Sequence, residues 1–223
     1  MTQRQSPRIR RLRNDHAALL RLKAESSILD FQSAGDPPDH YLLTFHGRGL
    51  FRPDGTNRIA VVSEHKVSIT LGASYPRLMP EIAWRSPIFH PNISGSGVVC
   101  LGGYGTYWVP SLNLDELCEM LWDMIRYANF DVDSPYNREA ANWARLQTDF
   151  QFPLDARPMR DRVAAGLMKP VELAPSRPRP IHPHALPLPV KSNGDDILFL
   201  DDTPGEIVEA EIVEGEDDVL VIE

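Results

Sequence analysis

The sequence predicts a mixed α/β (α+β) domain in which a helix comes first, strands follow and further helices end the domain. Apolar residues recur near a 3.6-residue period over residues 8–24. β-Branched or alternating segments separated by Gly, Pro, Asp and Asn fill much of residues 40–84. Two more helical patterns follow at residues 114–127 and 137–149. A chain of 223 residues has room for one such domain and a tail.

The elements are predicted in chain order. Pro7 suits the first turn of the first helix. Four strand candidates follow, at residues 40–45, 59–63, 65–71 and 80–84. Residues 86–106 are crowded with Gly, Ser, Pro and Asn and predict a long ordered loop, which in a small domain is usually functional. Asn113 suits the N-cap of the helix at residues 114–127.

Composition divides the chain into three zones: a domain at 1–152, a proline-rich linker at 153–191 and an acidic tail at 192–223, for which disorder is predicted. After Lys191 there is no Lys or Arg, but there are six Asp and six Glu. That segment carries −12, which leaves +4 on residues 1–191 out of the whole-chain charge of −8. So mild a charge on the body argues against a dedicated nucleic-acid binder.

The tail repeats short apolar clusters flanked by acids, beginning with Asp195-Asp196-Ile197-Leu198-Phe199-Leu200-Asp201-Asp202. Such clusters resemble motifs that add a strand to the sheet edge of a partner protein. A disordered solubilising tail explains the same composition, so both interpretations stay open.

Several classes of protein are disfavoured by what the sequence does not contain. No stretch approaches the roughly 20 apolar residues of a membrane helix, and the N-terminus shows no apolar signal region. Cys100 and Cys118 are too few for a disulfide framework, and the histidines show no metal-ligand spacing. We therefore expect a cytoplasmic protein that needs neither a metal nor a small cofactor and binds no membrane.

The predicted loop holds the residues with chemical potential. Cys100 lies beside glycines, and both His90 and Asn92 precede it within ten residues. A thiol, an imidazole and an amide suggest acyl chemistry, because thiolates attack carbonyls and an amide can stabilise an oxyanion. A buried free cysteine at the end of a Val-Val run explains the same residues. Composition alone leaves the choice open.

Several motifs with fixed spacing resemble the core of ubiquitin-conjugating (UBC) enzymes. They are Tyr75-Pro76, Ile88-Phe89-His90-Pro91-Asn92-Ile93, Gly97-Val98-Val99-Cys100-Leu101 and Trp108-Val109-Pro110. His90 precedes Cys100 by 10 residues and Trp108 follows it by 8, as in that family. Residues 133–141 resemble the family's Asp-Asp-Pro-Leu-Asn-Pro-Glu-Ala-Ala stretch, but the loop here is about two residues longer. The resemblance implies a UBC-like fold with an N-terminal helix, a four-stranded antiparallel meander, a catalytic loop and C-terminal helices.

The resemblance also implies roles for four residues. Cys100 would accept the C-terminal carboxyl of a ubiquitin-like modifier as a thioester from an activating enzyme, for transfer to an amine of a protein substrate. Asn92 would donate to the oxyanion or fix the adjacent loop, and His90 would be a structural hydrogen-bonding residue. Asp133, in preference to Ser134, would orient the attacking amine.

The departures from the family pattern concern partners and setting. Arg77 stands where a bulky apolar residue usually docks RING-type ligases, so we expect no particular ligase. Arginine outnumbers lysine 19 to 4, which with the acidic tail differs from common eukaryotic members of the family. Similar proteins occur in bacterial operons implicated in antiviral defence, and we expect that setting. The alternative function is a catalytically inactive UBC-like module that binds a modifier or its activating enzyme. A redox-active thiol protein is disfavoured because it needs a second cysteine near Cys100, and Cys118 is a helix away.

Overall fold

The computed structural model describes residues 6–102 and 108–169. Its elements are α1 (Pro7–Glu25), β1 (Leu29–Gly35), β2 (Pro38–Phe51), β3 (Ala60–Thr70), β4 (Glu81–Trp84), α2 (Leu114–Ile125), α3 (Arg138–Leu146) and α4 (Asp161–Ala164). The four strands form one sheet in the order β1-β2-β3-β4, and each pairs antiparallel with the next. The predicted α/β (α+β) fold, with its N-terminal helix and antiparallel meander, is confirmed.

Helix α1 packs one face on the sheet and on α2. Ser6 caps its first turn by accepting the N–H of Ile9. Leu12, Leu19 and Leu22 are buried in the main core. That core contains most of α2 and the inner face of the sheet, so α1, α2 and the sheet bury apolar surface against one another.

A buried carboxylate, Asp15, fixes how α1 meets α2. It accepts hydrogen bonds from Arg11 Nε at 2.7 Å, from the Tyr75 hydroxyl at 2.7 Å and from the Leu114 N–H at 3.3 Å. Burial raises the pKa of Asp15, and the Arg11 guanidinium opposes that shift. Because these donors come from a helix, a loop and the start of α2, one side chain aligns three segments.

The sequence did not predict β1, which the structure places at an edge of the sheet. Its sequence, LDFQSAG, has few β-branched residues, and only Leu29 of the strand is buried. The strand exists because it pairs with β2 from Leu29–Phe45 to Ala34–His40. This is a tertiary constraint that overrides weak local propensity.

Two other predicted boundaries differ from the structure. The segments predicted at 59–63 and 65–71 form the single strand β3, in which Glu64 pairs with His46 of β2. The helix predicted over 114–127 ends at Ile125, and Tyr127 has a φ of 58°. The helix predicted over 137–149 is α3, with Asn137 as its N-cap, accepting the N–H of Ala140 at 3.0 Å.

The packed chain continues beyond residue 152, into the segment predicted as a proline-rich linker. Leu154 and Met159 are buried, and the backbone carbonyl of Arg157 accepts the Trp122 indole N–H at 2.9 Å. The Arg160 guanidinium pairs with carboxylates of both α1 and α2, at 2.8 Å for Asp115. Residues 153–165 therefore belong with the fold, because their apolar and charged side chains have partners on it. The rest of the predicted linker and the tail at 192–223 lie outside the described residues.

We predict that Gly47→Ala destabilises the fold. A Cβ at Gly47 would stand 2.1 Å from the Trp122 ring and 3.0 Å from the Asp155 carboxylate. Overpacking of this kind costs about 1–3 kcal/mol of the free energy of unfolding. Gly72→Ala is the matched control, because no atom lies within 4 Å of its added Cβ. Urea denaturation of both variants measures the difference, and equal midpoints would contradict the expected clash.

We predict that His65 makes stability depend on pH. It lies fully buried on β3, and burial lowers its pKa to about 4, against about 6.5 when unfolded. At a pH between these two pKa values, the His65 imidazole is protonated in the unfolded chain and neutral in the folded chain. The contribution of neutral His65 to the free energy of unfolding is therefore complete above pH ~6.5. As the pH falls toward ~4, the free energy of unfolding decreases by at most about 3 kcal/mol.

The measurement is the urea midpoint between pH 7 and pH 4.5 for three proteins. His65→Gln should flatten the decline seen in the unmodified chain, whereas His40→Gln, a change at an exposed histidine, should leave it intact. Parallel curves for all three would show that His65 does not titrate on unfolding.

Candidate active site

The loop that bears Cys100 is attached to β4. Two isolated antiparallel bridges, Ala83 with Val98 and Ile93 with Val99, hold it in place. The Trp84 N–H donates to the Gly97 carbonyl at 2.8 Å. Gly97 has a φ of 84°, and a Cβ there would lie 2.3 Å from the Trp84 carbonyl oxygen. Only glycine permits this close approach, so the loop reaches Cys100 in a fixed position.

Cys100 is accessible, whereas Cys118 is not. The Cys100 side chain is partly exposed, and its backbone N–H donates to the Asn92 carbonyl at 2.9 Å. Cys118 is buried on α2 among the core leucines, where burial raises the pKa of its thiol. Thiol chemistry with a protein partner therefore requires Cys100, because thiolates react and a buried thiol stays protonated.

The side chain of Asn92 is fully engaged with the loop that precedes α3. Its Oδ1 accepts the Asp131 N–H at 2.7 Å. Its Nδ2 donates to the Asp131 carbonyl at 2.9 Å and, at 3.5 Å, to the Ser134 carbonyl. Of the two roles that the resemblance implies, the geometry matches fixation of the loop beside Cys100.

His90 is a structural histidine in this geometry. It is fully buried, and its Nδ1 accepts the Asn92 N–H at 3.1 Å. Burial lowers the pKa of His90 to about 3, while the Asn129 backbone opposes the shift. Its ring meets that of Tyr127 edge to face at 4.8 Å. A neutral imidazole that shapes the turn is poorly suited to act as a base at neutral pH.

Pro91 also binds the loop that precedes α3. Its carbonyl accepts the N–H groups of Tyr136 at 2.9 Å and Asn137 at 2.8 Å. The His90-Pro91-Asn92 triplet therefore holds both ends of residues 131–137, and the same triplet holds Cys100.

A cleft beside Cys100 is lined by Asp131 and not by Asp133, the acidic residue expected there. Its lining residues are Asn92, Cys100, Leu101, Gly102, Met120, Met124, Asn129 and Asp131. Asp133 is not among them: its side chain is 88% exposed and pairs with Arg145 at 2.5 Å. Sequence reasoning missed Asp131, whose Oδ1 accepts the N–H groups of Asp133 at 2.7 Å and Ser134 at 3.2 Å. The local signal for Asp131 is an Asx turn, because an Asp side chain commonly accepts the backbone N–H of the residue two positions later.

The loops near the predicted ligase position are bonded together. The Trp108 indole donates to the Pro76 carbonyl at 2.7 Å. Arg77 is exposed there, as are the apolar side chains of Leu78 and Val109. Residues 103–107, which follow Leu101 and Gly102, lie outside the described residues.

The described residues contain neither a grouped set of metal ligands nor a helix suited to span a membrane. Within 6–102 and 108–169, no three His, Cys, Asp or Glu side chains are grouped so that they could bind a metal ion. Among the helices in those ranges, none combines the length and apolarity that crossing a membrane demands.

Comparisons with known proteins agree with the geometry. Residues 62–154 match the family model described as ubiquitin-conjugating enzyme, which begins inside β3 and ends after α3. The chain is 32% identical over 80 residues to ubiquitin-conjugating enzyme E2 16 of Schizosaccharomyces pombe, covering 35% of this chain and 49% of that one. It is 29% identical over 89 residues to ubiquitin-conjugating enzyme E2 2 of Candida albicans, covering 40% and 44%.

The chain thus spans about half the length, or slightly less, of the curated relatives that it matches. The helix and strands that precede the family match complete the same sheet and core in the structure. Residues 62–154 are therefore similar to the ubiquitin-conjugating enzyme family.

Proposed function

We propose that the protein is a ubiquitin-conjugating-type transferase that carries a ubiquitin-like modifier as a thioester on Cys100. The observation that supports this most is that Cys100, whose thiol is accessible, is hydrogen-bonded through its backbone to Asn92, and that the Asn92 side-chain amide binds the loop that bears Asp131. The partners of such an enzyme are the modifier, an activating enzyme and a protein substrate. No cofactor is required, because the activating enzyme consumes the ATP.

The chemistry is two acyl transfers. In the first, the Cys100 sulfur attacks the carbonyl of the modifier thioester on the activating enzyme. A new S–C bond forms, and the activating-enzyme thiolate leaves. In the second, a substrate amine attacks the Cys100 thioester, a C–N bond forms, the Cys100 thiolate leaves, and the amine loses a proton to solvent or to a nearby carboxylate.

The second transfer requires an unprotonated amine, which is scarce at neutral pH because a lysine has a pKa near 10.4. A carboxylate beside the thioester can orient the amine and accept its proton. The resemblance points to Asp133 for this role, whereas the cleft beside Cys100 is lined by Asp131. We propose that Asp131 acts at the amine and that Asp133 acts on the position of the loop.

The setting is also part of the proposal. The excess of arginine over lysine and the acidic tail support a cytoplasmic protein of a bacterial conjugation operon with a role in antiviral defence. The fungal relatives are similar over less than half of this chain. A ligase takes part only if it binds the loop that holds Arg77.

We predict that Cys100→Ala abolishes a thiol-sensitive adduct with the modifier. The adduct forms when the protein is incubated with a modifier, its cognate activating enzyme and ATP, and it is seen on a non-reducing gel. Cys118→Ala is the matched control and should form the adduct, because that thiol is buried. Absence of any adduct from the unmodified protein with a genuine cognate pair would favour the inactive binding module.

We predict that Asn92→Ala slows transfer from the thioester to an amine by about 100-fold, the scale of a positional error near 1 Å. The variant loses three hydrogen bonds to residues 131 and 134, so the loop is no longer fixed. Formation of the thioester should be less affected, since its attacking atom is on Cys100.

Thioester formation and its discharge to free lysine are measured separately for this variant. Asn57→Ala, a change at an exposed asparagine in the β2–β3 connection, is the control and should match the unmodified protein in both steps. Equal losses in both steps of Asn92→Ala would mean that Asn92 serves general stability.

We predict that Asp131→Asn slows discharge to lysine about tenfold or more near pH 7.5, in the range of general-base effects. The amide keeps an oxygen that can accept the N–H groups of Asp133 and Ser134, so mainly the charge is lost. The deficit should shrink toward pH 10, where lysine deprotonates without help. Asp133→Asn should have a smaller effect at pH 7.5. A larger loss in Asp133→Asn would return the role to that residue.

A further inference from the structure

The loop at residues 131–134 is held on two sides. On the side of Cys100, Asn92 binds it through the hydrogen bonds to Asp131 and Ser134. On the other side, the guanidinium of Arg145 donates from Nη2 to the Val132 carbonyl at 2.8 Å and to the Asp133 carboxylate at 2.5 Å. Within the described part of the chain, Arg145 is the only side chain of α3 bonded to these four residues.

Helix α3 is well placed to act as the support. Its N-terminus is fixed, because Asn137 caps it through the Ala140 N–H and donates its own N–H to the Pro91 carbonyl. Its buried residues, Ala140 and Ala141, face the fold. Arg145 is in the last turn of the helix, where a cation is also favoured by the helix dipole. The Arg145 guanidinium bonds the loop at two points, a backbone carbonyl and a carboxylate, so it can define the position of what it binds.

The loop has a reason to need this second contact. Asp131, Asp133 and Ser134 are all exposed, and an exposed segment with few packed side chains has more conformations to restrict. Asp133 does not line the cleft at Cys100, and its carboxylate contacts Arg145. Its backbone N–H, in turn, donates to the Asp131 carboxylate. A connected path therefore runs from Arg145 through Asp133 to Asp131.

We propose that Arg145 is a positioning residue that holds the Asp131 carboxylate at the acceptor side of Cys100. It does so through the Val132 carbonyl and the Asp133 carboxylate and touches no reacting atom. The ion pair is exposed, so it contributes little to overall stability. Its effect is on the geometry of one loop, which determines how an amine reaches the thioester. This inference rests on the proposed function.

The first test needs no partner protein. Hydrogen–deuterium exchange of the full chain should show faster exchange at the Asp133 and Ser134 amides in Arg145→Gln, because the turn that protects them loses its outer contacts. Arg138→Gln is the matched control, an exposed arginine at the other end of α3. Unchanged exchange in Arg145→Gln would overturn the proposal irrespective of any activity.

The second test is discharge of the thioester to free lysine. Arg145→Gln should form the thioester at the normal rate and discharge it about tenfold more slowly near pH 7.5, with a deficit that shrinks toward pH 10 as in Asp131→Asn. The double variant Arg145→Gln/Asp131→Asn should be no slower than Asp131→Asn, because both changes remove the same contribution, that of a positioned Asp131 carboxylate.

The outcomes separate the two proposals. Multiplying effects in the double variant, or a discharge rate like that of Arg138→Gln, would overturn the role of Arg145. A protein that forms no thioester with a cognate modifier and activating enzyme would overturn the proposed function, while the exchange experiment would still decide whether Arg145 fixes the loop.

Discussion

The arrangement of the site depends on the hydrogen-bonded turn His90-Pro91-Asn92. Its backbone binds Cys100 through the Asn92 carbonyl and the start of α3 through the Pro91 carbonyl. Its side chains bind the turn itself and the loop at residues 131–134. His90 and Asn92 are buried, so their polar groups would be penalised without these partners, and the bonds fix the attached segments relative to the turn.

The turn can serve this purpose because an aromatic cluster supports it from below. Tyr127 is buried in a left-handed backbone conformation, and its hydroxyl donates to the Phe89 carbonyl at 2.5 Å. Its ring stacks on Phe152 at 4.6 Å and meets His90 edge to face. Such rings bury large areas in defined geometry, and they join the loop before the turn to the segment that follows α3. The site therefore rests on rigid packing, and its reactive loops are attached to that packing at few points.

The sequence predicted what local patterns encode. Periodicity located α1, α2 and α3 to within a few residues, and the motif spacing located Cys100, His90 and Asn92. It did not predict β1, because that strand is stabilised by pairing with β2 and has few β-forming side chains. It selected Asp133 by resemblance, and the structure places the Asp133 side chain in solvent, paired with Arg145. The position of Asp131 in the cleft depends on contacts with Asn92 that lie 39 residues away in sequence.

The segment after α3 has a consequence for how this protein is handled experimentally. The family match ends at residue 154, but the Trp122 indole donates to Arg157, and Arg160 binds carboxylates of α1 and α2. A truncation at the edge of the family match would leave a buried indole N–H without its acceptor and would uncover apolar surface on α2. Expression boundaries for crystallisation or for domain swaps between relatives therefore belong after α4, at Ala165 or beyond.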